Sequence, residues 1–153
     1  MPKRHLQIPG PAEWAGYETD LDVRHAHNLF FGKSITEVQC FFGGTRSIER
    51  ADELLFMPRR AFQYYVFAFS DFVLSDQASG ASDSASPFLR LLVSREQRDP
   101  GSVAAIYSRL ASAVEFVASH QARYDADPSI YGSFHDLAAQ LKTLCDGSGA
   151  RSE

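Results

Sequence analysis

Apolar residues recur at intervals of three and four along most of this chain, which is the period of an amphipathic helix. The clearest case predicts a long helix with Asp99 as its cap and Pro100 at its first position. The apolar stripe of that helix consists of Val103, Ile106, Leu110, Val114 and Val117. Shorter stripes predict further helices over residues 20–31 and 137–145. The pattern therefore predicts a mainly helical protein.

The segment Pro58–Leu74 is apolar on nearly all sides rather than along one stripe. Pro58 suits the first position of a helix, and a helix that is apolar all round is a buried one. We therefore predict that this segment is the central helix of the fold. Because aromatic-rich runs also suit β-strands, a strand over Gln63–Phe72 is the alternative.

Residues with side-chain oxygens mark several further helix starts. Ser34 and Glu37 have the spacing of a capping box, in which each side chain bonds the backbone amide of the other residue. Ser47 is the predicted cap of a helix that reaches Phe56, and another helix begins somewhere within 82–87 and ends near Arg98. Together these signals predict an all-α, single-domain bundle of about six to seven helices around the central buried helix.

Turn-forming residues concentrate at the two ends of the chain. Residues 1–16 hold three of the seven prolines and predict an extended N-terminal arm, with Trp14 as its anchor. Residues 146–153 are rich in Gly and Ser and predict a flexible C-terminal tail. The helical domain is therefore expected to span residues 17–145.

Composition and charge limit the function classes. The chain has 153 residues, of which 44% are hydrophobic and 22% charged, as in ordinary globular domains. Its net charge of -4 argues against direct nucleic-acid binding, which usually needs a basic surface. No signal sequence and no apolar run of membrane-spanning length is present, so we expect a cytoplasmic protein without membrane contact. Cys40 and Cys145 are expected to be buried thiols, with a disulfide between them as the alternative.

Three short patterns carry candidate chemistry, and each has a simpler structural interpretation. Gly32-Lys33-Ser34 matches the end of a phosphate-binding loop, but position 27 is His where that loop requires Gly. On a helix, His25 and His27 lie about 200° apart and cannot share a metal. Asp125 and Asp127 lack the later Gly and Glu of a calcium loop. We therefore predict a protein that is not an enzyme, with no catalytic residues, no metal site and no cofactor.

A pocket beside the central helix is the alternative functional site. Its predicted lining consists of Arg59, Arg60, Tyr64, Tyr65 and Asp71, with His25 or His27 as a proton shuttle. A buried Asp71 in a cleft could act as a general base, although structural ion pairs between arginines and acids are the favoured interpretation. This pocket would make the protein an enzyme or a small-molecule binder.

Four segments carry a resemblance to known proteins. They are Phe30–Ser34, Met57–Tyr65, Ser82–Ser86 and Ile130–Phe134. Together they resemble a family of small, uncharacterised bacterial helical proteins, and the resemblance implies a bacterial, cytosolic origin. In size and charge the chain is also similar to immunity proteins, which neutralise a partner toxin.

The functional hypothesis that follows is a non-enzymatic protein-binding module, most concretely an immunity protein. Many toxin domains are basic nucleases, so an acidic surface would steer their association and cover their active sites. Two clusters are the predicted partner-binding residues, because tyrosine is a common interface anchor and the acids beside it suit a basic partner. The first cluster is Glu18, Asp20 and Asp22, and the second is Tyr124, Asp125, Asp127 and Tyr131.

Overall fold

The computed structural model describes the backbone of residues 7–152 and the side chains of residues 7–148. This part of the chain contains eight α-helices and no β-strand, which confirms the all-α prediction with more helices than the six to seven expected. The helices are α1 Leu21–Phe30, α2 Ile35–Val38, α3 Arg46–Phe56, α4 Arg59–Leu74, α5 Ser82–Arg98, α6 Tyr107–Ser119, α7 Pro128–Tyr131 and α8 Phe134–Ser152. Short 3-10 helices cover Pro11–Trp14, Tyr17–Thr19, Gln39–Phe41, Asp76–Ala78, Ala104–Ile106 and Gln121–Tyr124.

Helix α4 is the buried centre of the bundle, as its composition predicted. Most of its side chains are inaccessible, and the helix contacts α2, α3, α5 and α6. Its aromatic rings join the layers around it, because Phe69 packs at 4.6 Å from Phe42 and at 5.3 Å from Phe88 between ring centroids. The alternative of a strand over Gln63–Phe72 is therefore wrong. Pro58 lies one position before the helix, which begins at Arg59.

Two of the helix caps predicted from the sequence, at Ser34 and at Ser47, have different outcomes. Ser34 and Glu37 form the predicted capping box at α2. Asp20, which was predicted only as the first residue of a helical segment, caps α1 by accepting the amides of Asp22 and Val23. Ser47, however, does not cap α3, because it lies inside that helix and is fully buried. Its hydroxyl oxygen lies 2.7 Å from that of Ser84 and accepts the Gly43 amide. Ser47 therefore connects α3 to α5 through Ser84 and does not cap a helix.

The predicted helix start at Asp99-Pro100 is wrong. Helix α5 ends at Arg98, the chain turns through Gly101 at a φ of +99°, and α6 begins only at Tyr107. The Asp99 carboxylate, which would have capped a helix, accepts hydrogen bonds from two guanidinium groups instead. Charged side chains at the end of α5 therefore determine the path of this connection.

The C-terminal helix continues beyond the predicted end at Cys145 and reaches Ser152. Leu141, Cys145 and Ser148 form one buried stripe along α8, and this helix packs against α5 and α6. Tertiary packing thus offsets the low helix propensity of the glycines in this segment. The flexibility of the 146–153 tail stays a prediction.

At the other end of the chain, Trp14 is fully buried and anchors the N-terminal segment to the core. Residues 1–6 of the predicted arm lie outside the described residues. Cys40 is exposed and Cys145 buried, and both are free thiols, so the expectation that both are buried is wrong for Cys40. Burial raises the pKa of Cys145 to about 12. Within residues 7–152, no helix is long and apolar enough to cross a membrane.

Candidate functional site

Helix α3 carries a stripe of acidic side chains on the face between α1 and α5. Glu49, Asp52, Glu53 and Phe56 have the i, i+3, i+4, i+7 spacing that places side chains on one helix face. With residues from α1 they line a cleft of about 300 Å³, which we call the acidic cleft. Its lining residues are Asp22, His25, Glu49, Asp52, Glu53 and Phe56.

One acid of this cleft is buried and neutralised. Glu53 is only 5% exposed, and its carboxylate oxygens lie 2.5 Å from Arg50 Nε and 2.9 Å from an Arg50 terminal nitrogen. His25 reaches the same carboxylate from α1, with Nε2 2.8 Å from Glu53 Oε2. Glu53 thus links α1 to α3 and closes the floor of the acidic cleft.

The other acids of the cleft remain accessible to a partner. Asp22 and Asp52 are exposed, and the Glu49 side chain is 70% exposed with a long contact of 3.4 Å to Arg50. The described side chains that line the cleft include no Lys or Arg. Among the residues with described side chains, no group of acids, His and Cys has the arrangement of a metal site. The surface thus presents carboxylates that are not committed to folding.

A second groove, of about 250 Å³, lies on the other side of α3, against α5. It is more apolar, with Leu55, Pro87 and Leu91 in its lining, and Ile48 is 44% exposed at its edge. Asp52 lines both depressions, so they flank one continuous strip of α3. We call this strip the α3 ridge, defined by Ile48, Glu49, Asp52 and Phe56.

The first predicted partner-binding cluster adjoins this ridge in part. Asp22 lines the acidic cleft, while the Asp20 side chain caps α1 by accepting the amides of Asp22 and Val23. Glu18 is exposed, and its carbonyl oxygen accepts a hydrogen bond from Arg24. Asp22 is therefore the member of this cluster that the structure places in a cleft.

In the second predicted cluster, Tyr124 and Asp127 make hydrogen bonds that stabilise the fold. Tyr124 is fully buried and donates its hydroxyl hydrogen to the Val73 carbonyl at 2.7 Å, and burial raises its pKa. Its inclusion among partner-binding residues is therefore corrected: a fully buried ring cannot contact a partner. Asp127 caps α7 through Ser129, whose amide hydrogen bond lowers the Asp127 pKa.

The remaining two members of this cluster lie at the surface. Asp125 is exposed and has a left-handed backbone with a φ of 55°. Tyr131 is half-buried, and its hydroxyl oxygen accepts a hydrogen bond from Ser82 at 3.0 Å. Its carbonyl oxygen accepts another from Arg90 at 2.7 Å. These contacts attach the end of α7 to α5.

The residues predicted to line the alternative pocket lie in different parts of the structure. Arg60 and Tyr64 line a cleft of about 430 Å³ between the N-terminal segment, α4 and the start of α6, which we call the arginine cleft. Arg59 instead binds Asp99, whose hydrogen bond raises the Arg59 pKa. Tyr65 is buried and donates to the Phe30 and Lys33 carbonyls, and burial raises its pKa. Asp71 is half-buried on α4 and does not line this cleft.

Sequence reasoning missed the α3 ridge because it assigned the acids of α3 to ion pairs with arginines. Those arginines were expected on α4 and α5, but Glu53 pairs with Arg50 of its own helix, and Glu49 and Asp52 are exposed surface groups. The signal that could have found the ridge is the helical spacing of those acids with Phe56. The opposite wall of the acidic cleft comes from α1, which supplies His25. Because the packing of α1 against α3 is a tertiary contact, no local sequence pattern predicts this wall.

Comparisons with family models, curated proteins and solved structures found no match to this chain. The resemblance to small bacterial proteins therefore rests on the sequence segments alone.

Proposed function

We propose that this protein is a non-enzymatic protein-binding module that engages a basic partner through the α3 ridge. The most specific form of the proposal is an immunity protein that binds and neutralises a toxin domain. The observation that carries it is the acidic cleft, where exposed carboxylates gather without a lysine or arginine among the described lining side chains.

The ridge has the two components that a protein interface requires. Asp22, Glu49 and Asp52 supply a concentrated negative charge, which accelerates the approach of a basic partner and excludes acidic ones. Ile48 and Phe56 supply apolar surface beside those charges, which can anchor the contact once water is displaced. Because the two depressions flank one helix, a partner can enclose the ridge from both sides.

The contacts inside the cleft favour binding over catalysis. The His25–Glu53 pair resembles part of a catalytic dyad, but Arg50 already neutralises the carboxylate by an ion pair. Among the described lining side chains, His25 has no Ser, Thr or Cys beside it that it could deprotonate as a general base. A structural link between α1 and α3 accounts for this pair.

The proposal is tested by co-expression with the product of the neighbouring reading frame. We expect a stable complex by size-exclusion chromatography with light scattering, and protection of cells that express that product. Asp52→Lys and Glu49→Lys should each weaken the complex by about tenfold or more and make binding less sensitive to salt. Glu115→Lys, which makes the same charge change on the exposed face of α6, is the matched control and should bind like the wild type.

Two results would count against the proposal in different ways. If the wild-type protein forms no complex and gives no protection, the immunity function is wrong. If a complex forms but both α3 variants bind as tightly as Glu115→Lys, the function stands and the assignment to the α3 ridge is wrong.

A further inference from the structure

The arginine cleft is larger than either of the two depressions beside α3 and differs in charge from the α3 ridge. Its volume of about 430 Å³ lies within the usual range for small-molecule sites. Its lining includes Glu13, Arg60, Gln63, Tyr64, Ile106 and Arg109. Nothing in the proposed protein-binding function uses this site, so it needs its own explanation.

Two arginines line this cleft, and neither forms an ion pair with a described carboxylate. Arg60 projects from α4 and Arg109 from α6, and both residues are exposed. Within the part of the chain whose side chains are described, no acid lies within ion-pair distance of either group. The one acid in the lining, Glu13, accepts the Gly10 amide at 2.8 Å. The cleft is thus a locally positive site on a protein with a net charge of -4.

Neighbouring contacts hold the walls of the cleft in place. The Arg109 guanidinium lies over the Phe67 ring, 5.4 Å from its centroid, which orients the side chain along α4. Gln63 donates to the Ser102 carbonyl at 2.9 Å and ties α4 to the segment before α6. Tyr64 accepts the Ile35 amide at 3.2 Å and is nearly buried. The two arginines therefore belong to walls that are already packed before a ligand arrives.

We propose that the arginine cleft binds a small phosphomonoester. A phosphoryl group has three acceptor oxygens and up to two negative charges, so it can accept from two guanidinium groups at once. A carboxylate has two oxygens and one charge, which a single arginine satisfies. Ile8, which also lines the cleft and is 43% exposed, adds apolar surface for the organic part of the ligand. This site is independent of the partner-binding function of the α3 ridge.

Isothermal titration calorimetry with phenyl phosphate tests the proposal on the full chain. We expect saturable binding below about 10 mM, and at least about tenfold weaker binding in Arg60→Gln and in Arg109→Gln. Arg98→Gln is the matched control, because Arg98 is an exposed arginine stacked on Phe56, a residue of the acidic cleft. It should bind phenyl phosphate like the wild type. Thermal unfolding of each variant checks that the fold is intact.

Benzoate and inorganic phosphate are titrated in parallel, because benzoate lacks the phosphoryl group and inorganic phosphate lacks the organic group. Phenyl phosphate should bind more tightly than either, because each probe lacks one of the two recognised groups. An absence of saturable binding by the wild type, equal binding in all arginine variants, or benzoate binding as tight as that of phenyl phosphate would each overturn the phosphomonoester site. None of these results bears on the complex formed by the α3 ridge.

Discussion

The end of α5 and the outer face of α3 use charged residues in opposite ways. Arg95 and Glu96 at the end of α5 are almost completely buried, and backbone groups supply most of the hydrogen bonds of both. Arg95 donates to the Leu54, Leu55 and Met57 carbonyls at the end of α3. On α3 itself, Glu49 and Asp52 point toward solvent in or beside the clefts.

The contrast separates charges that build the fold from charges that are available for recognition. Glu96 accepts the amides of Gly101, Val103 and Ala104 at 2.7–3.0 Å, so its carboxylate replaces the hydrogen bonds that these amides would make in a regular helix. A buried charge of this kind is tolerated only because its polar atoms are satisfied. An exposed acid without such partners contributes little to stability and remains available to a ligand.

Glu96→Ala should have the largest effect on the fold. The substitution removes the acceptor of three backbone amides and leaves a cavity, so we expect a loss of about 3 kcal/mol in the free energy of unfolding. Urea denaturation followed by circular dichroism measures it. The control, Glu115→Ala on the exposed face of α6, should change stability by less than about 0.5 kcal/mol. If the two variants are equally stable, the buried Glu96 carboxylate contributes no more to the fold than an exposed acid does, and the contrast drawn above is wrong.

Asp99→Asn should have a smaller effect that depends on pH. Arg59 and Arg95 both donate to the Asp99 carboxylate, and the hydrogen bond from Arg59 is the main cause of its lowered pKa. A carboxylate with a lowered pKa stabilises the folded state above its ordinary pKa of 3.8 and loses this contribution as the pH falls through the folded value. We expect a loss of about 1 kcal/mol at neutral pH that shrinks below about pH 4.

Urea denaturation over a series of pH values measures this difference. Asp76→Asn serves as the control for a generic loss of one negative charge, because Asp76 is exposed near the end of α4. A stability loss for Asp99→Asn that is the same at pH 7 and at pH 2.5 would show that the charge of Asp99 is not what holds the two arginines.

The smallest effect on the fold is expected on the α3 ridge. Glu49→Gln and Asp52→Asn keep the size of each side chain and remove its charge, so each should change the free energy of unfolding by less than about 0.5 kcal/mol. The measurement is urea denaturation without a partner. A loss of 1 kcal/mol or more would place these acids with Glu96 among the residues that build the fold.

Local sequence signals predicted the parts of the fold that depend on one segment. Composition alone identified α4 as a buried helix, and the Ser34–Glu37 spacing identified the start of α2. These predictions succeed because the side chain and the backbone it organises lie within a few residues of each other. The burial of Trp14 also followed from its position in a segment rich in proline and glycine.

Several of the predictions that failed concern residues whose partners are distant in the sequence. Asp99 has the sequence signature of a helix cap, but Arg59, forty positions earlier, engages its carboxylate. Tyr124 lies beside acids in the sequence, yet its hydroxyl reaches the Val73 carbonyl across the core. The candidate clefts are likewise formed between segments that are distant in sequence. Their residue types were visible in the sequence, and their arrangement was not.

The hydrogen bonds from Arg95 to the end of α3 have a consequence for binding kinetics. They attach the helix that carries the ridge to α5, next to a cation–π contact between Arg95 and Phe62 in the core. A ridge fixed in this way should lose little conformational entropy when the proposed partner docks. Association should then proceed as a rigid-body encounter whose rate is controlled by charge rather than by folding.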